Sequence, residues 1–168
     1  MTTRMSQILF LPMPGYAACG LVVSGAVHLG SLAGFQPPGG NALFFGLHGG
    51  IFPLVVALIL VDRKLPGTTD MKTDNWRLPV FPGCPAWMNY MTRGLYFYAL
   101  VNFAVFFLMN LVSTGTLSLS MSHSSGAGDP SIASWRGFSC IWMAIYSTGL
   151  ALLTTACRAS KSANGASS

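Results

Sequence analysis

The chain has 168 residues, of which only 8% are charged, and its mean hydropathy is +0.55. A soluble domain carries about 25% charged residues, so this composition excludes a disordered chain, a coiled coil and a typical cytosolic enzyme. The nine basic residues are balanced by four Asp and no Glu. The composition therefore predicts an integral membrane protein.

Long uncharged stretches predict four membrane-spanning helices. A bilayer core of about 30 Å needs about 20 apolar residues in a helix. Closed barrels instead need alternating apolar and polar residues, which the run Leu54–Val61 lacks. The predicted spans are 14–34, 42–61, 93–112 and 136–157. We therefore expect an all-α protein, an antiparallel four-helix bundle, with one transmembrane domain over 1–158 and a flexible tail over 159–168.

Basic residues lie almost entirely on one side of the predicted spans. Eight of the nine precede span 1, lie between spans 2 and 3, or follow span 4, and only Arg136 lies elsewhere. The positive-inside rule then places both termini and the connection 62–92 in the cytoplasm. We expect a bacterial inner-membrane protein in contact with membrane lipid. No aromatic-rich basic motif for nucleic acid is present.

The connections between spans differ in composition. The segment 36–41 has two prolines and two glycines, which predict a tight hairpin. The Ser- and Gly-rich segment 113–135 is expected to be mobile or loosely packed. The aromatic, proline-rich segment 76–88 is expected to lie along the inner membrane surface, with Pro85 at the start of a helix.

Carboxylates and paired thiols are both missing from the predicted spans. No Asp or Glu lies inside a span, which argues against a proton relay, a carboxylate di-iron site and a Glu-dependent antiporter. The cysteines form no Cys-x-x-Cys pair, so a disulfide oxidoreductase is disfavoured and free thiols are expected. The four cysteines are at positions 19, 84, 140 and 157.

Two histidines are the most informative polar residues in the predicted spans. His28 and His48 are each ten residues from Pro38. With a helical rise of 1.5 Å per residue, both should lie at one depth, roughly 9 Å below the outer helix ends. Pro53 lacks an N–H and frees the carbonyl of Gly49, which predicts a kink or widened turn beside His48.

Other polar side chains recur at helical spacing and are expected to face the bundle interior. One face of span 3 carries Tyr98, Asn102, Phe106 and Asn110. One face of span 4 carries Ser139, Trp142, Tyr146 and Gly149. The candidate pocket-lining residues are Ser24, Asn102, Asn110, Ser139, Cys140, Trp142 and Tyr146.

The residues leave three interpretations of His28 and His48 open. The histidines can be structural, bonding each other, a backbone carbonyl or Asn110. They can line a pocket for a small molecule or quinone. They can also hold haem b or a metal ion. Haem needs more room than the 8–10 Å between close-packed helices, and a metal ion lacks a third strong ligand within the membrane.

These observations favour a protein without a cofactor and without enzymatic activity. We expect an accessory or structural subunit of a larger membrane complex, or a homo-oligomer. The alternatives are a haem- or metal-binding electron-transfer subunit that uses His28 and His48, and a transporter-like protein that binds a small molecule or quinone.

Several short segments between residues 28 and 147 form a shared pattern: His28, Leu47-His48 with Gly50, Gly83-Cys84-Pro85 with Trp87-Met88, Tyr98-Ala99 with Asn102-Phe103, Arg136-Gly137-Phe138-Ser139, Trp142-Met143-Ala144 and Tyr146-Ser147. With this pattern the chain resembles a family of small bacterial four-span membrane proteins. The resemblance implies the same four-span fold and carries no established activity. Members of that family have Gly-His where this chain has Cys140-Ile141, and Ile141 cannot ligate a metal.

Overall fold

A computed structural model of the chain describes residues 12–64, 84–114 and 132–165. All the secondary structure in these three ranges is helical. The helices are α1 (Met13–Leu32), α2 (Gly40–Gly49), α3 (Ile51–Lys64), α4 (Ala86–Thr114) and α5 (Ile132–Gly165).

Four helical stretches are long and apolar enough to cross a membrane, with α2 and α3 together forming one of them. They are Met13–Leu32, Gly40–Leu60, Ala86–Leu108 and Ile132–Ala159. The four predicted spans and the all-α fold class are confirmed at this level.

The last two helices extend beyond their predicted spans. α4 begins directly after Pro85, whose carbonyl accepts the N–H groups of Met88 and Asn89, so the predicted helix start at Pro85 is confirmed. α5 continues to Gly165 and so includes the first part of the expected tail. The charged residues used to delimit the spans do not stop a helix. Residues 1–11, 65–83, 115–131 and 166–168 lie outside the described ranges, and with them most of the expected surface segment and of the Ser-rich connection.

Glycines close the hairpin between the first two spans. The N–H of Phe35 donates to the carbonyl of Gly30 at 2.9 Å, and the N–H of Gly34 donates to that of Ser31 at 3.2 Å. Gly34 has a φ of 83°, the left-handed conformation that this type of helix ending requires. We call this end of the molecule, next to residues 33–39, the hairpin end.

α5 is the central helix of the described structure and packs against α1, α3 and α4. Of the 18 consecutive residues that form its most apolar stretch, 61% are buried, whereas the corresponding share in α4 is 11%. Two glycines allow the close approach. A Cβ at Gly20 of α1 would overlap the ring of Tyr146, and a Cβ at Gly149 of α5 would lie 2.5 Å from the Leu54 side chain.

Candidate functional site

His28 lies at a junction of three helices. The side chain is 2% exposed, and its Nδ1 atom lies 2.8 Å from the Ser139 hydroxyl of α5. Its Nε2 atom lies 2.6 Å from the Tyr98 hydroxyl of α4. We call His28, Ser139 and Tyr98 the polar node. A neutral imidazole has one donor and one acceptor nitrogen, so both nitrogens of His28 are engaged and neither is free to bind a metal in this arrangement.

One set of donors satisfies every group in the polar node. Ser139 also donates to the carbonyl of Arg136 at 3.3 Å. With that proton committed, Nδ1–H of His28 donates to Ser139 and the Tyr98 hydroxyl donates to Nε2. This assignment follows from the hydrogen-bond network, and it makes the node a chain from α4 through α1 to α5.

Arg136 ties the end of α1 to α5. Its Nε donates to the carbonyl of Ser31 at 2.8 Å, and its Nη2 donates to that of Leu32 at 3.3 Å. The last carbonyls of a helix carry partial negative charge, and a cation there is stabilising. Ser31 in turn donates from its hydroxyl to the carbonyl of His28 at 2.7 Å. The one basic residue on the predicted outer side thus caps the helix that carries His28.

His48 lies among aromatic rings. Its ring centroid is 5.1 Å from that of Phe44, 5.3 Å from that of Phe138 and 5.1 Å from that of Trp142. Trp135 completes the group, with its ring 5.3 Å from Phe44. We call these five residues the aromatic cluster. The Nδ1 atom of His48 is buried without a hydrogen-bond partner, and so are the Nε1 atoms of both tryptophans.

The two histidines meet α5 at one level but on adjoining sides. His28 bonds Ser139, while His48 contacts Phe138 and Trp142. Successive residues of a helix point about 100° apart, so neighbouring positions of α5 serve different histidines. Within the ranges that the structure describes, no group of three or more His, Cys, Asp or Glu side chains could hold a metal ion.

The second span is interrupted beside His48, as Pro53 predicts. α2 ends and α3 begins on either side of Gly50. Two tyrosine hydroxyls bond carbonyls at this break: Tyr146 donates to Leu47 at 3.0 Å, and Tyr16 donates to Gly50 at 2.7 Å. The tyrosines come from α5 and α1, so they join three helices around the break.

The remaining candidate pocket residues do not gather around one site. Ser24 donates to a carbonyl of its own helix at 2.7 Å, Asn102 does so at 2.9 Å and Cys140 at 3.0 Å. The Asn110 side chain lies outside the described part of the structure. Of the other candidates, Ser139 belongs to the polar node, whereas Trp142 and Tyr146 lie on the His48 side of α5.

The described cysteines are free thiols, as the sequence predicts. Cys84 precedes the third span and is half-buried next to Met88. Burial raises the pKa of the Cys84 thiol, while a hydrogen bond with Thr155 and the charge of Arg158 act in the opposite direction. A thiol with a raised pKa holds little thiolate at neutral pH, so Cys84 is a poor nucleophile.

Neither the aromatic cluster nor the cap on α1 was predicted from the sequence. A signal for the cluster was present, because Phe44 is one helical turn before His48, and Trp135, Phe138 and Trp142 follow spacings of three and four residues. For the cap there was no comparable signal. Arg136 is far from α1 in sequence, and only the fold brings them together.

Comparison of the chain with known proteins found no match. No family model, no curated protein and no solved structure matches it. Function is therefore inferred from the contacts within this chain.

Proposed function

We propose that this protein is a non-catalytic subunit of the bacterial inner membrane, working as an accessory or structural part of a larger membrane complex or as a homo-oligomer. The observation that supports the proposal is the exposed apolar face of α4 formed by Leu100, Val105 and Leu108, which we call the open face. Only 11% of the most apolar 18-residue stretch of this helix is buried within the chain. Lipid tails solvate apolar side chains as well as other helices do, so association in membranes depends on packing. The span with the largest open face offers the most packing surface.

The open face of α4 lies in the middle of the helix. Leu100 is 70% exposed, Leu108 is 56% exposed and Val105 is 49% exposed. The opposite face is held by α5, where Ala99 lies in one cluster with Cys140 and Ala144. A partner helix laid on the open face would leave that packing in place.

The geometry around His28 supports a structural role over a catalytic one. A general base needs a nitrogen within reach of a substrate proton. Both nitrogens of His28 are engaged within the chain, and the Ser139 hydroxyl beside it is completely buried. The polar node is built as a connection between helices.

For the membrane arrangement, we propose an antiparallel four-helix bundle with both termini in the cytoplasm. The support is the distribution of eight basic residues on one side and one on the other. In this orientation the hairpin end, with both histidines, faces the periplasm.

The mass of the native particle tests the proposed function. The chain alone has a mass of 17.8 kDa. After gentle solubilisation of native membranes, the protein mass of the particle that contains it should be larger than this. Leu100→Trp should break up that particle, because the indole fills the open face of α4. Val22→Trp is the matched control, since Val22 of α1 is 71% exposed. A stable monomer from native membranes, or equal effects of the two variants, contradicts the proposal.

A second candidate function is a haem- or metal-binding electron-transfer subunit, and the unpartnered Nδ1 of His48 favours it. The same atom suits the third candidate, a transporter-like protein that binds a small molecule or quinone. A reduced-minus-oxidised absorption spectrum, with metal analysis of the same sample, separates the redox candidate from the other two. A Soret band or a bound metal that His48→Ala abolishes supports the redox subunit, and their absence from the native protein eliminates it.

A further inference from the structure

Arg93 places a guanidinium inside a membrane-crossing helix. It lies in the Ala86–Leu108 stretch, seven residues after the first, which is about 10 Å along the helix. The residue is half-buried, and its Nε atom is buried without a hydrogen-bond partner. Such a group is costly in apolar surroundings unless an anion or an acceptor accompanies it.

A notch in the surface of α4 lies directly beside Arg93. Gly94 is exposed, and a Cβ added there would meet nothing within 4 Å. The side chains one turn before and one turn after are large and outward, with Tyr90 72% exposed and Phe97 66% exposed. Residues three and four apart share a helix face, so the missing side chain leaves a gap between two aromatic rings. The gap is bordered by two exposed aromatic side chains.

Side chains in a helix lean toward its N-terminus, so we expect Arg93 to extend toward the Ala86 end of α4 and the membrane interface. Trp87 at that end is 62% exposed, and Trp and Tyr are typical of the level of lipid headgroups. Long basic side chains extend to this level while their stems stay in the apolar layer.

We propose that Arg93 binds the phosphate of an anionic phospholipid, and that a fatty-acyl chain of the same lipid lies in the notch over Gly94. A guanidinium matches phosphate with paired hydrogen bonds. A basic residue near the membrane surface also attracts anionic lipid. The site goes beyond the proposed subunit function and is independent of it, because it requires neither a partner protein nor an oligomer.

Lipid binding by the purified full-length chain in a neutral detergent tests the site. Native mass spectrometry should show bound phosphatidylglycerol in preference to phosphatidylcholine, with no comparable binding of inorganic phosphate. Arg93→Gln should weaken phosphatidylglycerol binding about fivefold, the equivalent of about 1 kcal/mol. Gly94→Leu should weaken it as well while keeping the charge. Arg136→Gln at the hairpin end is the control and should leave binding unchanged.

Several results would overturn the proposal. Unchanged phosphatidylglycerol binding in Arg93→Gln would contradict the proposed site. So would binding of phosphatidylcholine, or of inorganic phosphate alone, as strong as that of phosphatidylglycerol. If Arg93→Gln does not fold, unchanged binding in Gly94→Leu is sufficient. A contact within the chain is the rival explanation for Arg93. A loss of stability in Arg93→Gln, with no lipid bound to the native chain, assigns Arg93 to such a contact.

Discussion

The polar node and the aromatic cluster hold the same residue type at the same level of α5, in opposite surroundings. His28 has hydroxyl partners at both nitrogens. His48 has rings on three sides and a buried nitrogen without a partner. An unpaired buried polar atom costs about 1–3 kcal/mol, whereas each bond between membrane helices contributes about 0.6 to 2 kcal/mol. The node stabilises the helix packing, and the nitrogen of His48 opposes it.

The position of a histidine in a membrane span therefore does not define its role. The hairpin brings His28 and His48 to the same level because each is ten residues from Pro38. The side of α5 that each one meets then decides its chemistry. Ser139 offers a hydroxyl to His28, and the neighbouring Phe138 offers a ring to His48.

The largest expected effect comes from filling the close contact between α1 and α5. Gly20→Leu should lower the free energy of unfolding in detergent by about 2–3 kcal/mol, because its side chain must displace the buried ring of Tyr146. The substitution disturbs both regions, since α1 carries His28 and Tyr146 bonds the chain next to His48. Gly25→Leu is the control, as nothing lies within 4 Å of a Cβ there. An equal loss of unfolding free energy in Gly20→Leu and Gly25→Leu would show that α1 does not approach Tyr146 closely at Gly20.

Tyr146→Phe should affect the His48 side alone. It removes the hydroxyl that bonds the Leu47 carbonyl and should cost about 0.6–1.7 kcal/mol of unfolding free energy. Tyr90→Phe is the control, because that tyrosine is 72% exposed. The rate of backbone amide hydrogen exchange should rise at the break around Gly50 and stay unchanged at the end of α1. Faster exchange at both places would mean that the two regions are one cooperative unit.

Arg136→Gln should produce the smallest change and confine it to the node side. The variant loses the cation at the last carbonyls of α1, a contribution of about 0.3–1 kcal/mol. Arg136→Lys keeps the charge but not the branched donor group, so it should fall between the native chain and Arg136→Gln. Thermal unfolding in detergent measures both variants. A lysine variant as unstable as the glutamine variant would show that hydrogen-bond geometry matters and charge does not.

The spans and their approximate positions were predictable because uncharged length is a strong requirement of the bilayer. The helix start after Pro85 and the break near Pro53 were predictable as well, since proline acts through its own backbone. The end of α5 at Gly165 was not, because a helix can continue after it leaves the apolar layer.

The partners of the histidines were only partly predictable. Spacing placed Tyr98 and Ser139 on inward faces, where His28 now bonds both. The surroundings of His48 depend on the rotation of α5 about its axis. That rotation is hard to read from sequence, because both Phe138 and the neighbouring Ser139 suit an interior.

The unfolding free energies of His28→Leu and His48→Phe, measured side by side, test whether His28 connects helices while His48 does not. His28→Leu leaves the Ser139 and Tyr98 hydroxyls without their partner and should lower the free energy of unfolding by about 1–3 kcal/mol. His48→Phe removes an unpaired nitrogen from an aromatic cluster, so stability should be unchanged or raised. Equal losses in the two variants, or a larger loss in His48→Phe, would contradict the account.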